Sequence, residues 1–146
     1  MKTVSQVMTR GVRTLSPSDT VLQAAKLMDE LNVGVIPVCD GDKLLGVVTD
    51  RDIVVRGVAQ SLAGSAKLSE VMSANVRCAT EDQKIEEVLA AMAKAQIRRM
   101  PVVDAKQKLV GIVSIGDIAS KDRNDDAEVA ESLGDISSPA APDRKA

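Results

Sequence analysis

The sequence predicts an α+β fold built from two β-α-β-β-α repeats packed sheet to sheet with pseudo-twofold symmetry. Three observations carry this reading. The chain repeats itself internally, both copies run through strand-like and helix-like apolar periods in the same order, and one copy of about 55 residues is too short to bury a core alone. Sliding the chain by 64 residues places Ser5, Val7, Met8, Val12, Arg13, Met28, Pro37, Val38 and Asp40 on Ser69, Val71, Met72, Val76, Arg77, Met92, Pro101, Val102 and Asp104. One extra residue after Asp104 then sets Leu44, Gly46, Val48, Asp52 and Ile53 on Leu109, Gly111, Val113, Asp117 and Ile118. Repeat 1 is taken as residues 4–60, repeat 2 as residues 61–120, and residues 121–146 as a tail.

Each copy opens with VMT or VMS and continues into a short apolar stretch, VRTL or VRCA, expected as a strand. Pro17, Ser18 and Asp19 suit the approach to a helix N-terminus. In the helix that follows, Val21, Ala24, Ala25, Met28 and Leu31 share a face, as do Ile85, Val88, Leu89, Met92 and Ala95 in the second copy. The methionines read as core packing. GVIPVC and RRMPVV are the next strands, and LLGVVT and LVGIVS pair with them across turns at DGDK and DAKQK. Asp40–Gly41 makes the first turn a hairpin candidate. A parallel crossover followed by a hairpin gives a three-stranded sheet with two helices on one face. GVAQSLAGSAKL, residues 57–68, reads as the linker, and the tail as a short helix near Glu128–Leu133 followed by disordered polar chain.

Composition narrows the function. The 146 residues contain 45% apolar residues and a net charge of only -2, which argues against nucleic-acid binding by bulk electrostatics. There is no Phe, Tyr or Trp on which bases would stack. There is no His, the commonest general base and zinc ligand, so triads and zinc sites are not expected. Carboxylates, Lys and Cys show no constellation of an enzyme, and no catalytic residue is assigned. The opening MKTVSQVMTR lacks an apolar core of signal-peptide length, and no apolar run approaches a membrane span. A cytoplasmic protein with reduced Cys39 and Cys78 is expected, the two as small buried apolar side chains.

The second hairpin strand runs into the final helix through TDRD in one copy and SIGD in the other. A hydroxyl residue followed three positions later by an acid is the capping-box pattern. The same group has a second use. A carboxylate accepts two charge-assisted hydroxyl hydrogen bonds, and the free N–H groups of a helix start favour phosphate.

The doubled pattern VMTRGVRTLSPSDTVLQAAKLM, VGVIPV, GVVTDRDI and EVMSANVRCATEDQKIEEVLAAM, IRRMPV, GIVSIGDI resembles a tandem pair of CBS (cystathionine β-synthase type) domains over residues 4–120. TDRDIVVRGVA is similar to the stand-alone bacterial group that includes hypoxic-response proteins. The resemblance implies two clefts where the sheets meet, each for an adenosine-containing ligand such as AMP, ADP, ATP, NAD or S-adenosylmethionine. It places ribose on Asp52 and Asp117, with Thr49 and Ser114 on ribose or phosphate. It walls adenine with Ile36 and Pro37 in one copy and Met100 and Pro101 in the other. Backbone near Thr14–Pro17 and Cys78–Glu81 completes each pocket. Arg98 and Arg99 are candidate phosphate cations, as is Arg51, each with a solvated surface Arg as the plain alternative.

The copies differ where charge matters. Gly34 and Val35 stand where the second copy has Arg98 and Arg99, and Asp50 and Arg51 stand where it has Ile115 and Gly116. Asp50 beside a phosphate is unfavourable, so one site is expected to bind weakly or not at all. In the proposed topology Cys78 neighbours Val103 rather than Cys39, and no intramolecular disulfide is expected. The leading function is a regulatory module that binds adenosine-type ligands and signals to an unknown effector protein. The alternative is a ligand-free dimeric interaction or stress-response scaffold. A homodimer through the helices is expected in both. No metal or required cofactor is assigned.

Overall fold

Thr20 begins the first helix, α1 (Val21–Leu31), through a reciprocal cap. Its Oγ1 accepts the Gln23 N–H at 3.1 Å while Gln23 Oε1 accepts the Thr20 N–H at 2.8 Å. Asn32, left-handed at φ 56°, ends it. Val21, Ala24, Leu27 and Met28 are buried, whereas Ala25 and Leu31, expected inside, are exposed. The two candidate faces share Val21, Ala24 and Met28. Which flank is covered depends on neighbours that periodicity does not show. The counterpart α3 (Ile85–Ala95) buries Ile85, Val88, Leu89 and Met92, and leaves Ala95 exposed.

The computed structural model describes residues 2–121; the expected helix near Glu128–Leu133 and the polar tail lie outside them. Both hairpins form. Strands β1 (Val35–Asp40) and β2 (Lys43–Thr49) pair antiparallel from Val35↔Thr49 to Asp40↔Lys43, with an irregularity at Val38/Cys39. Gly41 supplies the left-handed turn residue at φ 60°. Strands β5 (Arg99–Val103) and β6 (Leu109–Ser114) pair likewise, from Arg99↔Ser114 to Val103↔Leu109. Their turn has no glycine, and Gln107 adopts φ 65° instead. Asp104 Oδ1 holds that turn by accepting the N–H groups of Lys106 at 2.8 Å and Lys108 at 3.0 Å. The Lys108 N–H bond is the main reason the Asp104 carboxyl lies below its ordinary range.

The segments flanking the hairpins depart from expectation. VRTL contributes only a parallel bridge, Leu15↔Val38, and VRCA only the two-residue strand β4 (Ala79–Thr80), parallel to β5. The register is Ala79↔Val102 and Thr80↔Val103, so Thr80, not Cys78, lies opposite Val103. The other edge of each sheet comes from the leading segment of the opposite copy. Strand β3 (Ser73–Ala74) pairs with Val47 and Gly46 of β2, and Thr9 bridges Ile112 of β6. The 57–68 linker is likewise part of the packing. Ala66 and Gly64 carbonyls accept the Val21 and Leu22 N–H groups, and Leu68 is fully buried.

Two compact units result, and they interleave the sequence repeats. Among the described residues, one is Arg13–Val76, and the other joins residues 2–12 to residues 77–121. In the first, Val21, Ala24, Leu27 and Met28 pack with Ile36, Val38 and Val48 and with Leu68 and Val71 of the edge segment. In the second, Ile85, Val88, Leu89 and Met92 pack with Met100, Val102 and Val113 and with Val4, Val7 and Met8. Periodic apolar positions thus meet non-periodic ones supplied from a distance in sequence.

One glycine in each second hairpin strand admits that edge segment. A Cβ on Gly46 would lie 2.1 Å from the Ser73 carbonyl oxygen, and one on Gly111 would lie 2.5 Å from that of Thr9. Gly46→Ala and Gly111→Ala are each expected to cost about 1–3 kcal/mol, since main chain rather than a side-chain tip must move. Urea unfolding followed by far-UV circular dichroism measures it, as no aromatic reporter exists. In the same assay Gln107→Gly is expected to gain about 0.5–1 kcal/mol by relieving the left-handed side chain.

Candidate functional site

Thr49 ends β2 and starts α2 (Asp50–Asp52), which runs on as a π-helical turn through Ile53–Gly57. The capping box is present: Thr49 Oγ1 accepts the Asp52 N–H at 3.0 Å, and Asp52 Oδ2 accepts the Thr49 N–H at 3.0 Å. A partner invisible in the local spacing adds to it. Ser73 on β3 donates its hydroxyl to Asp52 at 3.1 Å (Oδ1) and 3.2 Å (Oδ2). Arg56 brings Nε to 3.9 Å from Asp52 Oδ1 and donates from Nη1 to the Met72 carbonyl at 3.1 Å. Asp52 is the one buried charged residue among those described, 8% exposed. It is tolerated there because hydrogen bonds replace the lost water.

The second copy has the same plan in a more open form. Ser114 ends β6 and accepts the Asp117 N–H at 3.0 Å as α4 (Ile115–Lys121) begins. Thr9, the counterpart of Ser73, donates its hydroxyl to Asp117 Oδ2 at 3.2 Å. Asp117 is half-buried. Both motifs therefore form a triad of cap hydroxyl, carboxylate and edge-segment hydroxyl. Thr9 and Ser73 were not singled out from the sequence, although their alignment in the repeat beside VM was the available signal.

The remaining candidates separate. Ile36 and Met100 are 1% and 2% exposed and belong to the apolar clusters of their units. Strand alternation turns Pro37 and Pro101 to the opposite face, where both are buried. Arg99 is exposed and pairs across the strands with Ser114, the relation that Val35 has to Thr49. Arg98 accepts the Ile115 N–H with its carbonyl, as Gly34 accepts that of Asp50, both at 3.0 Å. Asp50 Oδ1 takes the Arg51 N–H at 2.8 Å, and its carboxylate lies close over Gly34. Arg51 is exposed. No group of three or more His, Cys, Asp or Glu among the described residues is placed to hold a metal ion. No described helix is long and apolar enough to cross a membrane.

The family model described as CBS domain matches twice, at residues 4–57 and 68–124. The chain belongs to the CBS domain family. It is 44% identical over 119 residues to the CBS domain-containing protein YhcV of Bacillus subtilis, covering 82% of this chain and 84% of that one. It is 37% identical to hypoxic response protein 1 of Mycobacterium tuberculosis, again over 82% and 84%. Among solved structures it resembles Hypoxic Response Protein I with two coordinated zinc ions, at TM-score 0.74 and 37% identity over 82% of this chain and 98% of that one. The CBS domain pair of protein MJ0100 in complex with 5-methylthioadenosine and S-adenosyl-L-methionine gives 0.73 and 30% over 82% and 94%. CBSX2 in complex with AMP gives 0.75 and 26% over 82% and 95%. These likenesses bear out the α+β CBS-pair reading.

Neither Cys39 nor Cys78 is in a disulfide; Cys39 is buried as expected, but Cys78, just before a two-residue edge strand, is only half-buried. Burial pushes Cys39 up, with the Asp42 charge adding to it, and burial pushes Cys78 up. Folding thus favours the neutral thiols. That contribution is intact below the unfolded thiol range and is lost as pH rises through the raised folded values. Labelling by a disulfide reagent at pH 8 is expected to be slow for the native protein, at least tenfold slower than in denaturant, because the thiolate reacts. Ser73→Ala is expected to cost about 1–2 kcal/mol and the more exposed Thr9→Ala less, both read by urea unfolding.

Proposed function

We propose that this CBS pair is a regulatory module that binds an adenosine-type ligand through a Ser/Thr-x-x-Asp motif and passes the change to a protein partner. The observation that carries this is Asp117. It is a half-buried carboxylate held from one side by Thr9, beside the Ser114 hydroxyl, with the exposed Arg99 across the strand. A ribose diol needs a fixed carboxylate acceptor, and a phosphate needs a hydroxyl and a cation nearby. The relatives MJ0100 and CBSX2, in complexes with S-adenosylmethionine and AMP, share that ligand class. Binding changes state only if the ligand prefers one conformation, which makes the effector's response a measure of differential affinity.

In this reading the chain is not itself an enzyme, requires no resident cofactor, and works in the cytoplasm as a homodimer. A ligand-free interaction module is the second reading. It is favoured by the exposed Val54, Val55 and Val58, an apolar surface suited to a second copy or an effector.

The absence of Trp and Tyr makes the test simple. Nucleic-acid-free protein carrying adenine absorbs near 260 nm with almost no 280 nm component. AMP, ADP, ATP, NAD and S-adenosylmethionine are then titrated in a thermal-shift assay. At a hundredfold excess over Kd a ligand stabilises by about 2.7 kcal/mol, a shift of several degrees. No 260 nm band and no shift with any of the five would sink this reading in favour of the second.

A further inference from the structure

The two motifs are related by the internal repeat, yet their carboxylates are not equally available. Asp52 is 8% exposed, and both its oxygens are engaged. Oδ2 accepts from the Thr49 N–H and the Ser73 hydroxyl, while Oδ1 accepts from Ser73 and faces Arg56. Arg56 is in turn fixed to the Met72 carbonyl, so cap, edge segment and guanidinium form a closed ring around this one carboxylate. A ligand hydroxyl reaching Asp52 has to displace Ser73 and open that ring.

Asp117 differs in each respect. It is half-buried, Oδ2 accepts from Thr9, and Oδ1 takes no hydrogen bond from a described residue. The surroundings differ in the same sense. Over Gly34 lies the Asp50 carboxylate, whose Oδ2 would be 3.0 Å from a Cβ at that position. The corresponding residue of the second copy is Ile115, 3% exposed in the apolar cluster, which brings no carboxylate there. Across from Thr49 stands Val35, and across from Ser114 the exposed Arg99.

We infer that the motifs have divided their labour: Asp117 is the ligand carboxylate, Asp52 is an internal structural lock, and each chain binds one adenosine-type ligand. This rests on the function proposed above and deepens it by assigning the site. Asp50 and Ser73 are the residues that close the first motif, one by covering the strand start and the other by occupying the carboxylate. The lock keeps the edge strand at residues 73–74 on its sheet whether or not ligand is present.

Isothermal titration of the full chain with AMP and, separately, S-adenosylmethionine decides the matter. The expected result is one equivalent per chain. Asp117→Glu, which keeps a capping acid but moves the carboxylate, is expected to weaken binding at least tenfold. Asp52→Glu is expected to change affinity less than twofold while lowering the melting temperature. If Asp52→Glu does not fold, the isosteric Asp52→Asn, which keeps an acceptor for the Thr49 N–H, replaces it with the same expected affinity and stoichiometry. Two equivalents per chain, or loss of the single equivalent on changing Asp52 but not Asp117, would overturn the assignment and leave the adenosine-binding reading standing. No heat with either ligand, together with no thermal shift from the wider set, overturns both.

Discussion

In each unit the edge pairing, the aspartate's hydroxyl partner and part of the apolar cluster depend on main chain laid across a strand glycine. The Ser73 carbonyl sits where a Cβ of Gly46 would be, and the Thr9 carbonyl does the same at Gly111. That approach lets β3 pair with β2 and Thr9 with Ile112. It places the Ser73 and Thr9 hydroxyls on Asp52 and Asp117, and delivers Leu68 and Val71, or Val4, Val7 and Met8, into the apolar clusters. A larger residue at either glycine would separate edge, carboxylate and core together. The glycine is therefore a site constraint as much as a packing one.

A consequence is that neither sequence repeat is self-sufficient. Residues 2–12 complete the unit that contains the second copy, and the stretch around Leu68–Ala74 completes the first. The Thr9–Asp117 bond spans nearly the whole described chain. Closing so long a loop is entropically costly before the contact is made, so the hairpins, whose contacts are local, are the natural early structure.

What the sequence showed and what it hid divide along the same line. Helices Val21–Leu31 and Ile85–Ala95, both hairpins and the cap at TDRD rest on local signals, periodicity, turn residues and spacing of three, and all were legible. The edge segments carry no such signal. A two-residue strand is too short to show alternation, and its partner is named by topology rather than by composition. For the same reason the linker was read as bare connection although Leu68 is fully buried, and the register at Cys78 was misplaced. The helix faces erred at Ala25, Leu31 and Ala95, which are exposed, and at Leu27, which was left out and is buried; the covering neighbours there are non-local.

The candidate site shows the limit of motif spacing most clearly. TDRD and SIGD carry the same hydroxyl-to-acid spacing, and each hydroxyl does cap its aspartate's N–H. Spacing cannot count lone pairs. A carboxylate has about four acceptor positions, and those a fold uses itself are withdrawn from a ligand. At Asp52 the cap and the shared Ser73 hydroxyl engage both oxygens, with Arg56 facing one of them; at Asp117 one oxygen remains. Cap and ligand grip are thus compatible in kind and exclusive in degree. An acid buried deeply enough to need every bond has become part of the fold, and one left half-buried keeps the capacity to recognise something else.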